Sequence, residues 1–273
     1  MATLTEFLRI SERILVLVGA GLSAPSGIPT FQQLPAQWHG YTYASLSSHD
    51  TLESNPAVVW DFYERMRCMA DRAQPNIAHQ ALAQLARVKA QLLTVSQNID
   101  NLLERAGYPE LQLQRIHGSL FKVVCSSPGC SFQQVNSGLD ISATPSGSSG
   151  ATDLGSPRFR AAPTCPECKE HAVRPAITLF GEMLAEGTLE RIDHWMDEYG
   201  DVDLLLVIGT RGYTSSNFVT EARARGARVA HFDLQEQTAM FEEGDWFVQG
   251  DVASTLPSIV HAALSGCMVT GRH

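Results

Sequence analysis

The 273 residues contain no apolar run that reaches the roughly 18 side chains a membrane-spanning helix needs, which excludes a spanning helix from the reading. Positive charge is scarce. Twenty Lys and Arg face 29 Asp and Glu, a formal net charge of −9. This argues against nonspecific attachment to nucleic acid and is compatible with a cationic partner such as a basic peptide. There is no internal repeat. The opening MATLTEFLRISERILVLVG carries Glu6 and runs quickly into an apolar segment, so neither a secretory nor an Arg-rich transit segment is expected. The expectation is an intracellular chain, its compartment unspecified. In that setting six cysteines read as metal ligands, catalytic groups or core residues rather than as a disulfide framework. What remains is ordinary for a globular protein: 44% hydrophobic and 18% charged residues, enough chain for one large domain or two smaller ones.

Four short apolar runs, Ile14–Val18, Leu92–Val95, Leu204–Ile208 and Val229–Phe232, have the character of buried parallel strands. Helical spacing follows over Pro75–Val88, and over Asn217–Arg225 before a stop at Gly226. Strand alternating with helix predicts an α/β fold, a doubly wound parallel sheet whose ligands lie at the carboxyl ends of the strands. Two segments break this rhythm. Leu34–Arg72 is rich in aromatics and ends in a helical pattern, NPAVVWDFYERMRCMADR. Phe121–Arg174 carries four cysteines around a low-complexity stretch, read as a surface loop over about 137–163. The expected division assigns 1–35, 74–118 and 176–273 to a Rossmann-like domain. It leaves 36–73 and 119–175 to a small helical and zinc-binding domain.

The first strand runs into LVGAGLSAPSGIPTFQ. Gly19, Ala20 and Gly21 let the backbone approach a ligand closely, and the turn offers N–H groups suited to a phosphate. This G-x-G lacks the usual third glycine, and two glycines at a strand end can also serve geometry alone. Further along come SQNIDNLLERAG at Ser96–Gly107, IHGSL at Ile116–Leu120, RPAITLFGE at Arg174–Glu182 and VIGT at Val207–Thr210. In this order, over about residues 14–257, they resemble the sirtuin family of NAD-dependent protein lysine deacylases. The phrases VWDFYERMR, IHGSLF and QGDVASTLP look most like its desuccinylase and demalonylase branch.

The resemblance implies that Gly19, Ala20, Gly21 and Ser23 cradle the NAD diphosphate. Gln97, Asn98 and Asp100 would line the nicotinamide pocket, with Asn98 near the ribose and counted with His117 as catalytic. The alternative for this triplet is a strand-end turn in which Asp100 caps a helix at Leu102–Ala106. Gly209 and Thr210 match the ribose loop, while Asp233 and Val252 stand where the family contacts adenosine. His117 occupies the place of the catalytic base, a role suited to a group that titrates near neutrality. The implied reaction joins the acyl-lysine oxygen to the nicotinamide ribose with loss of nicotinamide. His117 then deprotonates a ribose hydroxyl, which attacks the resulting imidate, and water completes the transfer to free lysine and O-acyl-ADP-ribose. Phe180, Gly181 and Glu182 match the segment that takes the substrate backbone as an added strand. Acylated lysines of proteins, with histones as one candidate, would be the partners.

Cys125 and Cys130 are separated by four residues and Cys165 and Cys168 by two, a spacing that points to one structural Zn²⁺ held by four thiolates. A surface disulfide pair is the alternative. Cys68 and Cys267 have no partner at ligand spacing and are expected to be packing residues. Two departures from the family concern the cofactor: Gln32 stands where an arginine is usual, and Arg211 follows Thr210 where a serine is expected. Arg211 is expected to supply the charge that Gln32 lacks. A third concerns the acyl group. The acidic-acyl branch has a Tyr with an Arg three residues on, whereas Tyr63 is followed there by Met66, with Arg67 one further. Arg67 reaching the pocket would favour malonyl or succinyl groups; Met66 filling it would favour uncharged acyls, the reading preferred here. Two other functions stay open, a mono-ADP-ribosyltransferase and a catalytically weak NAD-binding or chromatin-interaction module.

Overall fold

The computed structural model describes residues 2–30, 32–34, 36–135, 159, 161–198, 200–211, 213–235 and 241–265. Most of the loop expected over 137–163, and Cys267, lie outside them. The strands are β1 (Ile14–Val18), β2 (Leu92–Ser96), β3 (Leu113–Arg115), β4 (Gly118–Cys125), β5 (Gln133–Val135), β6 (Val173–Ile177), β7 (Leu204–Ile208), β8 (Arg228–Asp233) and β9 (Trp246–Gln249). The helices are α1 (Leu4–Ile10), α2 (Tyr43–Leu46), α3 (His49–Ser54), α4 (Pro56–Arg72), α5 (Ile77–Val88), α6 (Leu102–Arg105), α7 (Thr188–Glu198), α8 (Tyr213–Ala224) and α9 (Val252–Ser265). The chain forms two compact units, one of residues 1–33, 72–117 and 184–273, the other of 34–71 and 118–183.

The larger unit is built on a sheet of order β3-β2-β1-β7-β8-β9 with every pairing parallel. All five residues of β1 and of β7 are buried, because a parallel sheet covered on both faces demands apolar side chains at successive positions. Ile14, Val16 and Val18 pack with Leu82 and Leu85 of α5 and Leu256 and Val260 of α9. Leu15 and Leu17 point to the other face, with Ile192 and Met196 of α7 and Val219 and Ala222 of α8. The expected helix at Pro75 starts at Ile77 instead. Asn76 caps it, its side chain accepting from the N–H groups of Ala78 and His79. From β1 the chain builds β2 and β3 on one side and later β7, β8 and β9 on the other. The order reverses between β1 and β7, which opens a crevice at their carboxyl ends.

In the smaller unit β4 pairs antiparallel with both β5 and β6. Trp60 of α4 packs with Val123, Cys125, Cys165 and Val173. The expected boundaries need correction here. β6 pairs with β4 from Gly118↔Ile177 to Cys125↔Val173, so Gly118 and residues 176–183 belong with the smaller unit.

Candidate functional site

The crevice between β1 and β7 is closed by glycine against glycine. Gly19 N–H donates to Ile208 O at 3.0 Å, and Gly21 N–H to Gly209 O at 2.9 Å. A Cβ on Gly21 would stand 2.6 Å from Gly209 Cα, and one on Gly209 would stand 2.6 Å from Gly21 Cα, at a φ of +57°. The sequence reading gave these glycines to the approach of a ligand; here they also permit two loops to touch. The N–H groups of Leu22 and Ser23 donate to Gly19 O and Ala20 O. Like that of Gly21, they are engaged within the protein rather than all standing ready for a phosphate.

Ser23, 1% exposed, is the hub of the polar cluster beneath this loop. Its hydroxyl donates to Asp100 Oδ2 at 2.7 Å and accepts from Asn98 Nδ2 at 3.3 Å. His79 Nε2 stands 3.4 Å from the same oxygen. His79 Nδ1 accepts from Asn76 N–H at 3.3 Å, so the ring carries its proton on Nε2 and donates to Ser23. Burial holds the His79 pKa down at about 4, so the ring is neutral. Asn98 Nδ2 also donates to Gly19 O at 2.9 Å, tying the second loop to the first. Asp100 makes the expected helix-end contact, Oδ1 accepting the Leu102 N–H at the start of α6, while Oδ2 takes the Ser23 hydroxyl. Burial raises its carboxyl pKa, opposed by those two hydrogen bonds. Sequence reading missed His79, whose only signal was its place three residues after the cap Asn76.

Gln97 orients two groups at once. Its Nε2 donates to Thr210 Oγ1 at 2.6 Å, and its carbonyl lies 3.1 Å from His117 Nδ1. A carbonyl only accepts, so Nδ1 bears the hydrogen and the neutral His117 ring keeps its lone pair on Nε2. Burial lowers the His117 pKa, only partly offset by the Gln97 bond. The next residue, Gly118, has φ +80° and could carry no Cβ, which would fall 2.1 Å from Ala176 O.

Arg211 is committed to a carboxylate at the end of β8. Its Nε donates to Asp233 Oδ2 at 3.0 Å, its second terminal nitrogen binds Asp233 Oδ1, and the third nitrogen lies 3.5 Å from Gln235 Oε1. Gln32 is exposed. The Arg211–Asp233 ion pair links the loop after β7 to the end of β8. Burial would raise the Asp233 pKa, but Arg211 and the Gln235 and Leu234 N–H groups hold it low. Val252 is 4% exposed and sits in the core, so its side chain packs rather than reaching outward.

In the smaller unit, Tyr63 is buried and its hydroxyl donates to Ser47 Oγ at 3.0 Å. Burial pushes its pKa up to about 12. Met66 is half-buried. Arg67 turns to its own helix, with Nε 3.0 Å from Glu64 Oε1 and a terminal nitrogen 2.9 Å from Oε2. Phe180, 63% exposed, has its N–H on Ser47 O at 2.7 Å and its carbonyl under His49 N–H at 2.9 Å. Glu182 accepts from both terminal nitrogens of Arg174, from Leu179 N–H at 2.8 Å and from His49 Nδ1 at 3.0 Å. Burial alone would raise its pKa; these donors bring it down to about 2. Arg174 and His49, which hold the Glu182 carboxylate, are residues that sequence reading did not single out.

The four expected cysteines converge, their sulfurs all within 4.8 Å of one another. Cys125 and Cys168 are 3.7 Å apart, and Cys130 and Cys165 3.8 Å. Two thiolates at tetrahedral Zn–S distances of about 2.3 Å would be about 3.8 Å apart, and a disulfide would need about 2.0 Å. The donor set therefore fits one Zn²⁺ and rules out the disulfide alternative. Four sulfurs leave no position open for substrate, so the site is structural.

A profile described as "Sir2 family" matches residues 19–215. The chain is 33% identical to a Candida albicans "NAD-dependent protein deacylase", over 92% of this chain and 94% of that one. It is 34% identical to the dog "NAD-dependent protein deacylase sirtuin-5, mitochondrial", over 94% and 84%. Identity to "NAD-dependent protein deacylase 1" of Pseudomonas aeruginosa is 32%, over 97% and 100%. A solved Sir2 homologue–NAD complex matches with TM-score 0.78 at 26% identity, covering 96% of this chain and 93% of that one. A mutant Sir2 homologue with ADP-ribose gives 0.80 at 26%, covering both chains in full. With the glycine-closed crevice, the oriented imidazole and the four-cysteine site in place, the chain belongs to the Sir2 family.

Proposed function

We propose that the chain is an NAD-dependent protein lysine deacylase that delivers the acyl group to ADP-ribose. The observation that carries this is His117, whose Nδ1–H is committed to the Gln97 carbonyl so that Nε2 is left as the proton acceptor. Bound NAD supplies an electrophilic ribose carbon and nicotinamide as a leaving group. The residues divide the work around it. Gly19, Ala20, Gly21 and Ser23 receive the diphosphate, Gln97, Asn98 and Asp100 orient the nicotinamide end, and Gly209, Thr210 and Asp233 the ribose and adenosine end. His117 takes a hydroxyl proton at Nε2. In this reading Phe180–Glu182 holds the backbone of an acylated protein segment, histone tails being one candidate, and the chain works inside the cell. Relatives named sirtuin-5 are mitochondrial by name.

Arg211 sets the charge and orientation of Asp233. Arg211→Ala is expected to raise the NAD Michaelis constant about threefold to tenfold with little change in kcat, since it removes the cation from a carboxylate at the binding loop. An unchanged constant would remove Arg211 from the cofactor site.

For the acyl group we infer a preference for uncharged chains. A carboxylate tip needs a cation, and Arg67 is held by both oxygens of Glu64, while the Tyr63 hydroxyl is given to Ser47. Burying an unpaired carboxylate beside them is costly. Peptides carrying acetyl, propionyl, crotonyl, lactyl, malonyl and succinyl lysine, incubated with NAD and read by mass spectrometry, test both levels. Uncharged acyls should turn over faster than malonyl or succinyl by roughly tenfold or more. The reverse order would give the acyl site to Arg67. Label passing from NAD to protein with no peptide deacylated would identify an ADP-ribosyltransferase, and no nicotinamide release would leave a binding module.

A further inference from the structure

The turn that ends in Glu182 is held by a side chain that neither the family motifs nor the reaction requires. His49, the first residue of α3, donates from Nδ1 to Glu182 Oε1 at 3.0 Å, and its Nε2 lies 3.3 Å from Glu53 Oε1 on the next turn of the helix. The same residue gives its backbone N–H to Phe180 O, and its neighbour Ser47 receives Phe180 N–H. Ser47 Oγ in turn accepts the Tyr63 hydroxyl. Three successive residues, Ser47, Ser48 and His49, therefore run beside Phe180 as a short parallel pairing and connect it to the buried phenol.

We propose that His49 is a positioning residue for the substrate peptide, clamping Phe180–Glu182 in the conformation that binds, and that its protonation makes peptide affinity depend on pH. The proposal rests on the reading of 180–182 as the peptide-binding segment. The charged groups facing the imidazole are Glu182 from the turn, Glu53 from its own helix, and Arg174 of β6 across the Glu182 carboxylate. With His49 positive, two carboxylates flank one cation. With His49 neutral, Glu53 and Glu182 keep their charges with only Arg174 opposite. Glu182, then Glu53, raises the His49 pKa, so the charged clamp is complete in mildly acidic solution and is lost as pH rises through that raised value. Glu182 itself stays ionised throughout, with its pKa near 2.

The test is binding of a fluorescent acetyl-lysine peptide, free of groups titrating between pH 6 and 9, followed by anisotropy without NAD, alongside steady-state kinetics. The parental protein should weaken roughly threefold to fivefold from pH 6 to 9. His49→Ala should bind weakly at pH 6 and show no such dependence, its kcat at saturating peptide near parental. His49→Lys should restore affinity and extend it to pH 9. Parental affinity and slope in His49→Ala would overturn the clamp. Phe180→Ala separates the two levels. If it weakens binding while His49→Ala does not, only the clamp fails; if neither does, the peptide reading of 180–182 fails with it.

Discussion

A His117→Ala protein should bind NAD with nearly parental affinity and lose deacylation by about 10²- to 10⁴-fold, the span typical of a removed general base. The reason is positional. Nδ1 is spent on the Gln97 carbonyl, leaving Nε2 as the only part of the ring able to take a proton. The Gly19–Gly21 loop and the Ser23 hub make none of their described hydrogen bonds through His117, so they should survive the change. The pH profile supplies a second sign. Burial lowers the His117 pKa, so the neutral, working form persists to lower pH than for an ordinary histidine. The acid limb of kcat/KM should therefore fall below pH 6.5, the usual value, with activity lost as the ring becomes protonated. Calorimetry of NAD binding and a pH series of kcat/KM check both parts. Deacylation at the parental rate in His117→Ala would undo the reaction assigned to the chain.

The second large effect concerns the zinc site. Cys165→Ser should release the metal and unfold the smaller unit, detected as loss of bound zinc and a transition far below the parental Tm. Cys165 is completely buried and packs with Trp60, Val123 and Val173, so metal and core meet at one side chain. Structural zinc binding in small domains is worth on the order of 10 kcal/mol, as large as the whole stability of many domains. The altered sulfur also leaves three thiolates around a polar gap. Cys68→Ser is the contrast: Cys68 is exposed rather than packed as expected, lies outside the cluster, and should leave zinc content and Tm unchanged when replaced. A Cys165→Ser protein that keeps one equivalent of zinc and its Tm would show that the four sulfurs do not form the metal site.

The parallel strands were readable because a sheet covered on both faces leaves little choice of residue: ILVLV and LLLVI are buried throughout. β3 and β9 escaped. LQR is short and mostly polar, WFVQ is short and only partly buried, and each pairs along the edge of a longer neighbour. The cysteines were legible because metal geometry constrains spacing. The Ser23 hub was legible only in part: Ser23, Asn98 and Asp100 stood at one expected site, but His79 reaches it from α5 and only the folded chain brings it there. The Arg67–Glu64 pair was within reach of sequence reasoning, being three residues apart on one helix; weighing Arg67 against Tyr63 alone passed over its nearer partner. The Arg211–Asp233 pair was not foreseen for a different reason, because Asp233 lies 22 residues away at the end of β8.

The contact between Gly21 and Gly209 bears on how such a protein can diversify. Each of these residues fills the space into which the other would have to grow, so neither codon can drift alone, nor both together, without prying apart the strand ends beneath them. Variation in cofactor handling must enter through side chains at the rim.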